Sequence, residues 1–204
     1  DTSLRVRFHA AVALGKLKSA KAIQPLLELV RENDDEDAFL RHGAVMGLAG
    51  SAKADPKVLL QTTSSPHSSV RLAAILALRR HAHPGISSFL KDKDLYLVTE
   101  TARAIHDDFS IPDALPALAE ILDRPDIEGE PLLRRAINAN FRVGRPADAE
   151  RLARYASSPA APAAPRPRPP PRPSSAVPRA RCTRPPRAPR ARGPPRGRPS
   201  WRRT

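Results

Sequence analysis

The chain has 204 residues with 35 Lys+Arg against 21 Asp+Glu, a formal charge of +14, and only 4% aromatic side chains. The charge is segregated: residues 1–158 hold 22 basic and all 21 acidic residues, whereas residues 159–204 hold 13 Arg and no acid. The first part is long enough for one domain with a substantial core, filled by aliphatic and Ala side chains. One cysteine, Cys182, excludes an intrachain disulfide, and no apolar run of about 18 residues is present to span a membrane as a helix. No secretory signal pattern opens the chain, and its start at Asp1 rather than Met leads us to expect a fragment.

In chain order, five segments repeat one pattern. They start at Val6 ("VRFHAAVALGKL"), Leu40 ("LRHGAVMGLAG"), Val70 ("VRLAAILALRRH"), Leu97 and Leu133, at intervals of 34, 30, 27 and 36 residues. Four residues on stand Ala10, Ala44, Ala74, Thr101 and Ile137; seven on, Ala13, Gly47, Ala77, Ala104 and Asn140; eight on, Leu14, Leu48, Leu78, Ile105 and Phe141. Offsets 0, 4, 7 and 8 share one helical face, and small residues at 4 and 7 admit a neighbouring helix closely.

Second amphipathic stretches lie between the copies, at Ile23–Arg31, Val58–Thr62, Ile86–Lys91 and Ala114–Leu122, with a fifth at Ala147–Tyr155. The stretches at Val58 and Ile86 are short, so irregular layers are expected there. Asp37, Ser68 and Asp94 read as N-caps or near-caps. Pro25, Pro56, Pro84, Pro112 and Pro131 fall at helix starts or turns, where a missing N–H costs little.

Each unit is therefore a helical hairpin too small to bury its own apolar face, and stacking completes the core. The expected fold is all-α: an α-α superhelix of about five hairpins over residues 1–158. The "VRxxAAxALG"-like segments at Val6–Gly15 and Val70–Leu78 resemble HEAT repeats.

Several residues stand out as candidate sites. Arg7, Arg41, Arg71 and Arg134 occupy equivalent positions in the alignment, with Val98 breaking the series. They read as a structural ladder of local ion pairs, with Asp37 and Glu130 each four residues ahead of an Arg; the other reading is a basic stripe for phosphates or an acidic partner. Glu32–Asp37 carries five acids in six residues but lacks the turn Gly and distal Glu of a calcium loop, and reads as a solvated loop ending in a cap. His81 and His83 precede Pro-Gly at a helix end, without further ligands for a metal. His9, His42 and His106 sit at unrelated offsets. Asn140 falls on the expected inward face, where it needs hydrogen-bond partners: a neighbouring backbone, or a following module. No nucleophile elbow, glycine-rich phosphate loop or carboxylate pair is present, so no catalytic, metal or cofactor-binding residue is assigned to this chain.

From Pro159 onward, 15 Pro, 13 Arg and 8 Ala make up most of 46 residues, a composition that builds no core. A disordered tail is expected. It reads either as an Arg-rich arm for nucleic acid or anionic surfaces, with Trp201 able to stack on a base, or as GC-rich DNA translated out of frame. The break follows "ADAERLARYASSP", part-way through a repeat.

Residues Arg5–Ser157 also resemble a narrower family through the three segments quoted above, "VTETARAIHDD" (Val98–Asp108) and "PLLRRAINANFRVG" (Pro131–Gly144). These are similar to the HEAT segment of large planctomycete and verrucomicrobial membrane-bound dehydrogenases, or haem-binding CxxCH proteins. That resemblance implies a β-propeller ahead of the repeats, a cytochrome-like module after them, and a periplasmic or cell-envelope setting. Haem c is implied only for the downstream module, since "CTRPP" at Cys182 is no haem-attachment motif. The implied role is a non-catalytic scaffold joining those protein domains; the alternative is a nucleic-acid-binding repeat protein, should the tail be genuine.

Overall fold

The computed structural model describes residues 2–107 and 111–158. The expected tail, residues 159–204 with Cys182 and Trp201, lies outside the described residues.

The fold is all-α, with no strand among the described residues. Its α-helices are α1 (Leu4–Leu17), α2 (Ile23–Asn33), α3 (Ala38–Ser51), α4 (Ser68–Arg80), α5 (Leu95–His106), α6 (Leu115–Glu120), α7 (Glu130–Val143) and α8 (Pro146–Ala156). The five repeated segments are α1, α3, α4, α5 and α7, and each packs against the next to form one layer. The intervening stretches form the second layer. Each covers the repeated helix that follows it: α2 on α3, Pro56–Ser64 on α4, Pro84–Lys91 on α5 and α6 on α7. Finally α8 folds back on α7.

Pro56–Ser64 and Pro84–Lys91 are 3-10 rather than α-helical. Runs this long are uncommon, because 3-10 hydrogen-bond geometry is poorer. The repeats holding them are the short ones, and a 3-10 rise of about 2.0 Å per residue lets nine residues reach ~18 Å, against ~13.5 Å as an α-helix. A short segment can thus still cover its partner. Local chemistry agrees: the hydroxyls of Thr62, Thr63, Ser64 and Ser88 each donate to the carbonyl three residues back, a bond that suits this tighter coil.

Caps set the helix starts. Asp37 accepts from the Leu40 N–H at 2.7 Å and Asp94 from the Tyr96 N–H at 2.9 Å. Ser68, expected as a cap or near-cap, is the first residue of α4, preceded by His67. His83 Nδ1 accepts from the Gly85 N–H at 3.1 Å and starts the turn that Pro84 opens. Ends are set by left-handed residues: Lys18 after α1, Asp34 and Asp35 after α2, and Gly144 after α7.

The inward face holds as expected in α3, α4 and α5, where Leu40, Ala44, Gly47 and Leu48, and their counterparts, are buried. Thr101 replaces Ala at offset 4 and satisfies its hydroxyl on the Leu97 carbonyl. Two copies differ. In α7 the buried residues are Leu132, Ala136, Ala139 and Asn140, so this copy starts one residue earlier than its alignment on Leu133, and Phe141 is 78% exposed. Because apolar residues fill both Leu132 and Leu133, the pattern alone admits either register. In α1, Val6, Ala10 and Ala13 are exposed, and Ala11 and Gly15 are buried instead. Offsets 5 and 9 look toward α3, the next helix of the layer and the main neighbour of α1 among the described residues.

That neighbour comes very close. A Cβ on Gly47 would lie 2.6 Å from the Ala11 carbonyl oxygen, and one on Gly15 2.8 Å from the Gly47 Cα. Only hydrogen at these positions lets α1 and α3 meet backbone to backbone.

Candidate functional site

Two of the four aligned arginines, Arg7 and Arg71, tie one segment to another. Arg7 on α1 pairs with Glu32 at the end of α2. Arg71 on α4, 4% exposed, grips Asp92 with two nitrogens at 2.7 and 3.2 Å, while its third donates to the Ser65 carbonyl at 2.7 Å. Asp92 follows the 3-10 segment that covers α5, so this buried pair locks successive units together. Arg41 pairs with Asp35 rather than with Asp37 four residues before it, and the Asp37 carboxylate accepts from the Leu40 N–H. Arg134 does pair with Glu130, yet on an exposed surface. The register of α7 places Arg134 one position beyond the other three, off their line.

Asn140 takes the offset that holds Leu or Ile in the other copies, and is 1% exposed. Its Nδ2 donates to the Ala119 and Ala136 carbonyls, both at 2.8 Å, and its Oδ1 accepts from Arg151 at 3.0 Å. Arg151 also donates to Asp148 at 2.8 Å and to Asp123 at 2.7 Å. Asp148, fully buried, further accepts from the Arg145 side chain and N–H. The Arg145 guanidinium, reinforced by the Arg145 N–H and Arg151, holds the Asp148 carboxyl down to about 2. Hydrogen bonds from Arg151 and then Arg154 depress Asp123 in the same way. The Arg135 guanidinium, and then His106, do so for Asp107. This network pins α6, α7 and α8 together.

Apart from Asn140, sequence reasoning passed over these partners. Arg145, Asp148 and Arg151, spaced three apart, carried a helix-start signal; the distant acids Asp92, Asp107 and Asp123 carried none.

The acidic loop is likewise taken up: Asp34 accepts from Ser69 at 3.1 Å, Asp35 pairs with Arg41, and Asp37 caps α3. No group of three or more His, Cys, Asp or Glu suited to a metal exists among the described residues. His81 lies at the end of α4, and burial depresses its pKa, with His83, Arg80 and Lys53 adding repulsion.

Between α3 and α4 lies a groove of about 690 Å³. Ala38, Val45 and Leu76 give it apolar walls; Arg41, Arg79 and Arg80 line it with guanidinium groups and His42 with an imidazole. His42 and Arg80 are exposed, and neither has an ion-pair partner among the described residues. No Ser, Thr or Cys is among its lining residues.

Residues 1–49, spanning α1, α2 and most of α3, match the family model described as HEAT repeats. This stretch is therefore similar to HEAT repeats, in agreement with the two-layer stacking of the later helices. No curated protein matches the chain. No described helix is long and apolar enough to cross a membrane. Haem attachment needs two cysteines ahead of a His, and with the single Cys182 the residues of this chain do not fit that group.

Proposed function

We propose that residues 1–158 act as a non-catalytic repeat scaffold, one that holds neighbouring protein domains in place rather than transforming a substrate. The observation that carries this reading is how the buried charges are used. Arg71 with Asp92 and Arg151 with Asp123 join successive segments of the stack, and each guanidinium is taken up by a carboxylate of the chain itself. The perturbed groups Asp123, Asp148 and Arg151 owe their shifts first to one another and to Arg145, in ion pairs that fasten α8 to the stack.

We further propose, from the motif resemblance, that the scaffold is a spacer in a multidomain redox protein of the cell envelope, lying between an oxidising domain and a cytochrome-like domain that carries the haem. The test is to read the coding DNA ahead of Asp1 and from Ala147 onward in all three frames. A frame that continues the repeat and reaches CxxCH, with an oxidising domain encoded upstream, supports the spacer. Termination after Thr204 in the present frame, with neither domain encoded alongside, overturns it. For the scaffold itself, the encoded flanking domains should co-purify with the full chain but not with each other in its absence. Direct association without it would refute the reading.

A further inference from the structure

We propose that the edge of the stack formed by its first three within-hairpin turns docks on an anionic lipid surface, with the lysines of those turns on the headgroups and Leu17 entering between them. The helices set that edge. α1 and α3 run parallel, since Gly43 abuts Phe8, Gly47 abuts Ala11 and Gly50 abuts Gly15. α4 keeps the direction: Ser69 near its start bonds Asp34 ahead of α3, and His81 at its end meets the Ala49 backbone late in α3. The turns that follow α1, α3 and α4 therefore share one side of the unit.

Residues 15–22, 51–57 and 79–85 make up these turns, and they hold five Lys and two Arg against one acid, Asp55. Asp55 is spent on its own turn, where it accepts from the Lys57 N–H at 3.1 Å. Lys16, Lys18, Lys21, Lys53, Lys57 and Arg80 are exposed, and none has an ion-pair partner among the described residues. Arg5, Lys91 and Lys93 also lack one, but they stand apart: Arg5 near the start of α1, and the two lysines alternating with Asp92 and Asp94. A helix dipole favours cations in the last turn, such as Lys16 and Arg80, and fades beyond it; Lys21, Lys53 and Lys57 lie outside the last turns of α1, α3 and α4. The turns are close enough to feel one another, since Lys53 from the second and Arg80 from the third both repel a proton from His81. Like charges gathered in this way are unfavourable unless an anion relieves them.

The chemistry of the edge selects lipid among the anions. Leu17 is 74% exposed between Lys16 and Lys18. The acyl boundary of a bilayer would bury it, whereas a phosphodiester backbone would leave it in water. The other exposed large hydrophobics of the first four repeated helices, Leu4, Val6, Phe39 and Tyr96, stand at helix starts, away from this edge. Lysine is a mobile point charge that suits a layer of headgroups, without the planar fork that grips one carboxylate or phosphate; Arg7 and Arg71, which have that fork, are held by Glu32 and Asp92. The three turns contain no Phe, Tyr, Trp, Asn or Gln to stack on a base or read its edge. A basic cluster around an apolar side chain is how acidic headgroups over hydrocarbon are recognised. The contact is peripheral, since no described helix is long and apolar enough to cross a membrane.

The test adds vesicles to the full chain. Amide hydrogen exchange, read by mass spectrometry, measures contact at the turns apart from any made by the Arg-rich segment after residue 158. Vesicles with about 30% phosphatidylglycerol in phosphatidylcholine should slow exchange in residues 16–22 and 52–57, and phosphatidylcholine alone should not. Lys21→Glu combined with Lys53→Glu should weaken this protection by roughly twentyfold or more, since each lysine near such a surface is worth about fivefold. Leu17→Ala should weaken it by roughly tenfold, whereas Arg134→Glu, a charge reversal on another surface, should alter it by less than about twofold. All four positions are exposed, so the variants should keep the wild-type helical spectrum. No protection at about 1 mM anionic lipid, protection that survives the double reversal, or protection indifferent to Leu17→Ala overturns the proposal. Equal protection by a duplex oligonucleotide at the same phosphate concentration also overturns it and assigns the edge to nucleic acid; displacement of the vesicles by millimolar inorganic phosphate assigns it to the free anion. A negative result leaves the scaffold reading intact, since that reading is decided by the coding DNA and by co-purification of the flanking domains.

Discussion

Replacing Gly50 with Ala perturbs the closest approach in the stack. The added Cβ would stand 2.1 Å from the Gly15 carbonyl oxygen, 2.5 Å from its carbon and 2.6 Å from its Cα. Ordinary contact begins near 3.4 Å, so α1 and α3 would have to part by about 1.3 Å at this point, more than enough to forfeit much of the dispersion energy between them. Both surfaces are backbone, so no rotamer change relieves the clash. Overpacking of this kind costs about 3 kcal/mol at the upper end of its usual range. Exchanging Gly for Ala in the last turn of a helix returns at most ~1 kcal/mol. The net loss of ~2 kcal/mol should lower Tm by roughly 4–8 °C for a domain of this size. Thermal unfolding followed by circular dichroism measures that shift, and hydrogen exchange should show α1 losing protection before α4 and α5. A Gly50→Ala protein with unchanged or higher Tm, and with α1 still protected, would refute the close packing on which the first layer depends.

Other perturbations address the polar network. Arg71→Met strands the buried Asp92 carboxylate and should cost about 3–5 kcal/mol in denaturant titration; a double-mutant cycle with Asp92→Asn that shows no coupling would sink the interlayer lock. Asn140→Leu restores the residue type of the other copies but leaves the Ala119 carbonyl and Arg151 each short of a partner, so a loss of about 1–3 kcal/mol is expected, and a gain in stability would contradict the hub. Asp148 is depressed from 3.8 to about 2 in the folded chain, so its stabilisation is present above pH 3.8 and disappears as the pH falls towards 2. Asp148→Asn should flatten that acid limb, and an unchanged limb would count against the Arg145–Asp148 pairing. His81 shifts the opposite way for its charge: its folded pKa lies below 6.5, the unfolded chain binds the proton more tightly, and stability should fall as the pH drops below 6.5. His81→Gln should remove this part of the slope near neutrality, and a slope that persists in the variant would show that other groups cause it.

Much of this was legible in the residues. Offsets 0, 4, 7 and 8 are a property of helical geometry alone, so α3, α4 and α5 could be placed, with their buried faces, from the spacing of Leu, Ala and Gly. Asp37 and Asp94 were readable for the same reason: a carboxylate just ahead of an apolar helix meets N–H groups that no earlier turn can satisfy. The short stretches at Val58 and Ile86 announced irregular layers through their length and their prolines.

The tertiary structure decided the rest, wherever a choice turned on residues distant in sequence. Leu132 and Leu133 are equally apolar, and only the fit of α7 against α5 and α6 selects the first, turning Phe141 to solvent and Arg134 off the line of the other arginines. Arg41 had an acid at ideal helical spacing, Asp37, yet it pairs with Asp35. Arg71 found Asp92, Arg135 found Asp107 and Arg151 found Asp123 across 21 to 28 residues, because stacking brings the end of one segment beside the start of another. Periodicity is local and survives in a single string of letters. Which carboxylate meets which guanidinium depends on the distance between helices, and only packing sets that distance.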